Sequence, residues 1–470
     1  MTRLRVGVES LIASLIALAI YTLFAQRTMY GDGTVLLMKA AAGDVLHPNH
    51  FSYLPILVPF ADALSGSRTL HESAVLLSAL GAAVGVGLVY AASRTLGVAR
   101  MPAIAATAAV ATAPSLMFFA TLVELHGPFF AFFGVCAVAF AWYRRSPGVW
   151  RVVLLALTTA AAYLAHATGH LLVGLFATWA VAAASDHAAL RRAIRDGAVL
   201  AFVHVALVFA ATRALQSVGY PIGGEHNASA FAMYFAASIE RPLAFFVTLW
   251  NEWLLPFAPL CVAWLFAGRR GTGFAIALLG YVAFTFFVLA DHPEHGAYLL
   301  PLAWPAALLT VEGLGARRTV VVAAVGLVIG AVGIILHDEP TRADAYVRGV
   351  DAVRGPQRAM LLCAFHLEDM EARFVGGLDA SADFFEVSTL TDVPANAMDA
   401  TVAMMEAQIR ALTASGRKVF VTAEARAHLG TEYALRKRPE IARVTALLFE
   451  RMEAVPVESH GFRAHEIRPR

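Results

Sequence analysis

The sequence predicts a polytopic α-helical membrane protein of about eleven transmembrane helices, followed by a soluble α/β domain. Two observations carry this. Of 470 residues, 59% are hydrophobic and 15% charged, with mean hydropathy +0.65, where a soluble domain of ordinary composition has roughly 45–50% apolar and about 25% charged residues. The charge is also uneven: residues 1–337 hold 33 of the 70 Asp, Glu, Lys and Arg, and residues 338–470 hold the other 37. The first stretch suits lipid and the second water, so a membrane module is expected over 1–337 and an α/β domain over 338–470. A soluble cytosolic enzyme is excluded.

Each span follows from length. A helix crossing about 30 Å of hydrocarbon needs roughly 20 mostly apolar residues. Such stretches run at 6–25, 72–92, 101–121, 126–143, 150–166, 168–185, 198–217, 243–266, 272–290, 296–314 and 319–336. The run 101–143 is too long for one crossing at about 1.5 Å per residue. Its only charged or imidazole side chains are Glu124 and His126, so the chain turns there. The first span follows the basic start Met1-Thr-Arg-Leu-Arg5; its apolar core is longer than a signal peptide's and lacks a small-x-small cleavage site, so it is read as a retained helix. Residues 51–64 are apolar but interrupted by Pro55 and Pro59, and are expected in the interface or as a re-entrant segment.

Placing Arg3 and Arg5 in the cytoplasm and alternating sides gives cytoplasmic loops with Arg94, Arg100, Arg144, Arg145, Arg151, Arg191, Arg192, Arg195, Arg269, Arg270, Arg317 and Arg318. The opposite loops up to residue 300 hold only Arg27, Lys39, Arg68, Arg213 and Arg241, as the positive-inside rule requires. Eleven spans leave the tail on the extracytoplasmic side. The excess of Arg over the three lysines, Lys39, Lys418 and Lys437, and the abundance of Ala fit a GC-rich bacterial genome, so the membrane is read as the bacterial inner (plasma) membrane. A net charge of +2 gives no argument for nucleic-acid binding. Cys136, Cys261 and Cys363 are too few and too scattered for a disulfide framework or a thiolate cluster.

In the tail, apolar runs and amphipathic spacing predict strands near 359–365, 384–388, 418–423 and 462–467, a helix over 397–415 and another over 426–452. No Gly-rich phosphate loop follows these strands, so the tail is assigned no catalysis and is expected to recognise the acceptor or cover the site.

The acids and histidines of the membrane part sort to the outer loops. The longest of these contains Asp32 between two glycines, then Lys39, Asp44, His47 and His50. Flanking glycines let the backbone turn tightly and expose the carboxylate; Asp32 also suits the N-cap of a short helix over 34–42. Glu124 lies between two tightly linked spans beside His126, where burial of a carboxylate is costly unless something compensates it. Its plainer reading is a cap for the following helix. Glu252 inside the eighth span should face the bundle interior, paired with Arg213 or in a polar cavity.

An Asp soon after helix one with a His-Pro segment behind it (Asp32, His47-Pro), an acid at the short third turn followed by aromatics (Glu124 to Phe133), and a Tyr-Leu-Leu-Pro stretch opening a late helix (Tyr298 to Pro301) occur here in that order. In this the chain resembles the GT-C superfamily of polytopic glycosyltransferases, in its protein O-mannosyltransferase-like branch. The resemblance implies transfer of a sugar from a polyprenyl-phosphate-linked donor to an extracytoplasmic acceptor (protein, lipid or glycan), with Asp32 as the catalytic Asp of the first loop and Glu124 as the second acid. One departure stands out: an Arg often precedes the Tyr of the late motif, whereas here the run is Asp291-His-Pro-Glu-His-Gly-Ala-Tyr298.

A carboxylate in a partly desolvated site suits the base for direct displacement, and the phosphate leaving group needs cations or N–H donors more than a proton. Lys39 and Arg241, then Arg27 and Arg213, are the outer cations for that task, with His292, Glu294 and His295 able to stand in for the missing Arg. The substrate-binding set is therefore Lys39, Asp44, His47, His50, His126, Arg241, His292, Glu294, His295 and Tyr298. A divalent metal on His47 and His50, or on His166 and His170, stays open. Two other classes also stay open: a transporter or flippase, and a non-catalytic membrane assembly protein.

Overall fold

The computed structural model describes residues 3–47, 51–220, 295–364 and 367–470. They divide into two compact units, one of Met1–Gln26 with Gly31–His337, the other of Arg27–Tyr30 with Asp338–Arg470.

The first unit is helical: α1 (Arg3–Leu23), α2 (Gly33–Ala41), α3 (Tyr53–Leu64), α4 (Leu70–Thr95), α5 (Arg100–Ala111), α6 (Pro114–Ala120), α7 (His126–Arg145), α8 (Val149–Ala165), α9 (Gly169–Ala182), α10 (His187–Ser217), the turn α11 (His295–Tyr298) and α12 (Ala303–His337). Among the described residues, five helices are long and apolar enough to cross a bilayer, six if α5 and α6 count as one. Their outward faces carry Leu11, Leu15 and Ile16 on α1, Phe202 and Phe209 on α10, and Val321, Val328 and Ile335 on α12, all more than half exposed. Apolar side chains turned outward at helical spacing are a lipid-facing surface. The protein is a membrane protein.

One expectation is corrected. The span expected at 101–121 is a pair of helices bent by 59°, because Pro114 at the start of α6 lacks an N–H and pushes its predecessor out of helical geometry. Within the stretch 51–64, Tyr53–Leu64 form the helix α3 through both prolines: Pro55 sits in the first turn, whose N–H groups have no partner within the helix anyway. The runs 150–166 and 168–185 form α8 and α9, helices of 17 and 14 residues. Two further expected spans, 243–266 and 272–290, lie outside the described residues. Near the C-terminal end of the unit, α12 is broken at Gly315, whose φ of 79° leaves helical geometry and divides the runs read as the last two spans.

Local chemistry sets other boundaries. Thr69 and Glu72 cap α4 reciprocally, the Glu72 N–H donating to Thr69 Oγ1 at 3.1 Å and the Thr69 N–H to Glu72 Oε2 at 2.8 Å. Asp186 caps α10 through the Ala189 N–H. α4 and α7 meet along glycines: a Cβ at Gly81 would lie 2.5 Å from the Pro128 backbone, and one at Gly85 2.5 Å from the Phe130 carbonyl oxygen. Backbones approach here because no side chain stands between them.

The second unit adds α13 (Arg342–Arg354), β1 (Ala359–Cys363), α14 (Leu367–Phe374), β2 (Ala382–Glu386), α15 (Met398–Ala414), β3 (Val419–Thr422), α16 (Ala423–Leu429), α17 (Glu432–Lys437), α18 (Ala442–Ala446), β4 (Glu453–Ser459) and β5 (Phe462–Arg468). The sheet runs β2-β1-β3-β5-β4; β2, β1 and β3 are parallel, and β5 is antiparallel to both β3 and β4. Alternation buries Leu361 and Phe420 on one face with Tyr346 and Phe462, and Leu362, Val419 and Val421 on the other with Met405 and Ile409. The helix expected over 426–452 is broken into short pieces, because Thr431 caps a new helix and Pro439 interrupts again.

Candidate functional site

At one end of the helical unit the C-terminus of α1, the N-terminus of α2, the turn between α6 and α7, the turn between α8 and α9, and α11 come together. Gln26, just beyond α1, is the knot: its N–H donates to the Thr121 carbonyl at 2.7 Å, its Nε2 to Thr121 Oγ1 at 2.7 Å, and its Oε1 lies 2.8 Å from Nδ1 of His337 at the end of α12.

Asp32 occupies the N-cap position of α2, but its side chain makes no cap bond. Its backbone N–H instead donates to Glu124 Oε1 at 3.0 Å, while Glu124 Oε2 accepts the Leu125 N–H at 2.9 Å. Glu124 is fully buried, and two amide donors are the compensation such a buried carboxylate requires. The close approach has a second cause: Gly33 lies so tightly on the Val123 backbone that any Cβ there would collide with its carbonyl. Ser78 of α4 fixes the same turn, its hydroxyl donating to the Glu124 carbonyl at 2.7 Å. Tyr53 of α3 is buried within electrostatic reach of Glu124. Asp32 and Glu124 are thus brought together, and the expected cap for α7 becomes a clamp on the first loop.

Beside the clamp stand aromatic rings. His126 Nε2 lies 3.9 Å from Glu124 Oε2. Its ring is 5.1 Å from that of His166 and 5.8 Å from that of Tyr298, and His166 and Tyr298 stack at 5.6 Å. His166 Nδ1 accepts the Thr168 N–H, so in the neutral ring the proton sits on Nε2. The structure brings His126 and Tyr298, both predicted substrate-binding residues, together beside Glu124. His166 has a sequence signal as an outer-loop histidine and as a metal pair with His170; in the structure His170 Nδ1 meets His204 Nε2 at 2.8 Å, and His204 Nδ1 meets Thr159 Oγ1 at 3.0 Å. Tyr53 has no signal of its own; its burial comes from α3 folding through its prolines.

The remaining expected residues divide. Lys39 donates to Asp44 Oδ2 at 2.7 Å and to the Leu46 carbonyl, and its ammonium holds the Asp44 carboxyl below the usual range. His47 is buried. Arg27 makes a bidentate pair with Asp344, so this cation is engaged within the second unit. Arg213 lies over the Phe209 ring. His50, Arg241, His292, Glu294 and Glu252 lie outside the described residues, as does the side chain of His295. Among the described residues, no group of three His, Cys, Asp or Glu is placed to hold a metal.

The opposite end of the unit is arranged differently. Glu9 takes Arg5 at 3.2 Å and Arg100 at 2.7 Å, and Asp196 takes Arg195 at 2.8 Å.

No protein-family model and no curated protein matches the chain. Among solved structures, the crystal structure of ArnT from Cupriavidus metallidurans bound to undecaprenyl phosphate superposes with a TM-score of 0.57 at 13% identity, covering 97% of each chain. The apo form of the same protein gives 0.56, with the same identity and coverage. The chain shares the ArnT fold.

Proposed function

We propose that this protein is a membrane glycosyltransferase that moves a sugar from a polyprenyl-phosphate-linked donor to an acceptor hydroxyl, with Asp32 as base and Glu124 as the residue that positions it. The observation that carries the reading is the 3.0 Å bond from the Asp32 N–H to the buried Glu124 carboxylate. It stands in a chain whose fold matches ArnT, a GT-C glycosyltransferase that has been crystallised with undecaprenyl phosphate. The finer reading, from sequence resemblance, is an O-mannosyltransferase-like enzyme of the bacterial inner membrane working on its outer face, with the C-terminal domain on that side.

The chemistry is a single displacement. The acceptor oxygen bonds to the anomeric carbon as the carbon–oxygen bond to the phosphate breaks; the leaving polyprenyl phosphate keeps the electron pair, and the acceptor proton passes to Asp32. Asp32 is partly exposed and its backbone is anchored, which suits a base that must meet a substrate in fixed geometry. Tyr298, His126 and His166 offer O–H and N–H donors for the charge that develops on the phosphate.

Purified protein supplied with a polyprenyl-phosphate sugar and an acceptor is expected to form the glycoside. Asp32→Asn should lower turnover by about 10²–10⁴. Glu124→Gln, which turns an NH2 toward one of two amide donors, should lower kcat while leaving donor binding near normal. Full transfer by Asp32→Asn would falsify the assignment of the base, and liposome counterflow without any transfer would favour a transporter.

A further inference from the structure

The second unit includes four residues of the first loop, Arg27–Tyr30, and holds three of them by backbone and side-chain hydrogen bonds. The Arg27 and Thr28 N–H groups both donate to Asp338 Oδ1 at 2.9 Å. The Glu339 N–H donates back to Thr28 Oγ1 at 2.7 Å. The Arg27 guanidinium forks onto Asp344 at 3.0 and 2.8 Å. The Met29 N–H donates to Glu371 Oε1 at 2.8 Å, and Met29 is fully buried. Glu371 is itself buried and takes Arg342 Nε at 2.7 Å and Nη2 at 2.6 Å, so its carboxylate has a fixed orientation before the strap is added.

The strap ends at Tyr30, and Asp32 is two residues further on. The Asp32 N–H is itself held by Glu124. We infer that Asp338, Asp344 and Glu371 are positioning residues for Asp32: the C-terminal domain sets the geometry of the base by gripping the segment that leads into it. This rests on the function proposed above. It assigns the domain a role in turnover without any catalytic group of its own. Two backbone amides on one carboxylate oxygen fix position and direction together, while the partly exposed Arg27–Asp344 pair adds a weaker, salt-screened hold.

The test uses the full-length protein in detergent or nanodiscs. Asp338→Ala removes the acceptor for two amides; Asp338→Asn keeps an oxygen there. Asp338→Ala should lower kcat by about tenfold or more with the donor KM within about twofold, and Asp338→Asn should restore most of it. Hydrogen exchange of the peptide covering residues 31–36 should accelerate in Asp338→Ala and not in Asp338→Asn. Should Asp338→Ala fail to fold, Asp344→Ala, which leaves every backbone clasp in place, is expected to give a smaller change in the same directions. Unchanged exchange at 31–36, or an unchanged kcat in the folded variants, overturns the inference. Accelerated exchange together with full transfer by Asp32→Asn would leave the mechanical coupling standing and overturn the function proposed for Asp32.

Discussion

The two units solve the same problem, burying polar groups, in opposite ways. In the helical unit carboxylates are few, and the buried Glu124 takes one backbone amide on each oxygen. Its helices approach through glycines on α4 and α7. In the C-terminal unit, large side chains pack both faces of a sheet, and carboxylates cluster: the buried Asp369 accepts from Tyr346, Ala364 and Thr422, while the half-buried Glu424 accepts the Glu368 and Asp369 amides. The difference follows from solvent. Lipid gives no hydrophobic drive between helices, so close backbone contact must hold them; water drives the sheet core together and leaves room for costly buried acids.

The largest expected effect comes from filling a glycine of the α4–α7 seam. In Gly81→Leu the added side chain meets the Pro128 backbone, which cannot move aside as a side chain would. A cost of about 3 kcal/mol or more is expected to abolish the monodisperse peak in size-exclusion chromatography. At Gly174 of α9 an added methyl would have nothing within 4 Å, and Gly174→Ala should leave stability unchanged or raise it by roughly 0.5–1 kcal/mol through helix propensity. If both variants behave alike, close approach is not what holds the helical unit.

How much of this is legible in the sequence depends on how far apart the partners lie in the chain. The runs that form β1, β3 and β5 are locally apolar, and their strands fall where expected. β4 is hidden because none of its residues is fully buried and it carries Pro456, a residue that edge strands tolerate and central ones do not. Asp32 and Glu124 stand out through an ordered set of short motifs, whereas the bond that joins them spans 92 positions. The strap has no local signal because its anchors Asp338 and Glu371 lie 311 and 342 positions beyond Arg27 and Met29. The bend at Pro114 has one, but the apolar run on both sides of it masks the break.

The second effect, smaller, is a pH dependence of the C-terminal unit. Burial pushes Asp369 up to about 6, and Glu424 and Glu386 up to about 7. A carboxyl whose pKa is raised by folding contributes stability that is full below its unfolded value near 4 and is lost as pH rises through the folded value. The unit should therefore weaken from about pH 5 to pH 8. Carboxyls held low by their partners, Asp344 by Arg27, Asp351 by Ser381 and Glu466 by Arg468, contribute with the opposite sign, and only as pH falls below the ordinary carboxylate range. All seven Trp lie in residues 1–337, and the buried Cys363 lies in β1. On heating, the midpoint for Cys363 labelling should drop between pH 5 and pH 8 while the tryptophan midpoint moves less. Asp369→Asn should flatten the Cys363 trend, and equal trends for the two probes would erase the contrast.

The smallest expected effect is where the contrast between units ought to vanish. Lys39 and Asp44 belong to the helical unit, yet their side chains are 31% and 38% exposed, close to the 48% and 41% of Arg358 and Asp383 in the C-terminal unit. If exposure rather than location sets the worth of an ion pair, both pairs contribute about 0.5 kcal/mol and both fade as salt rises past a Debye length of about 8 Å. Lys39→Met and Arg358→Met should each shift the thermal midpoint by no more than a degree or two at physiological salt, and by less at 1 M. A far larger loss for Lys39→Met would mean that the first loop lies in a drier setting than its exposure implies. A loss of donor binding with stability intact would mean instead that the ammonium leaves Asp44 for the substrate phosphate.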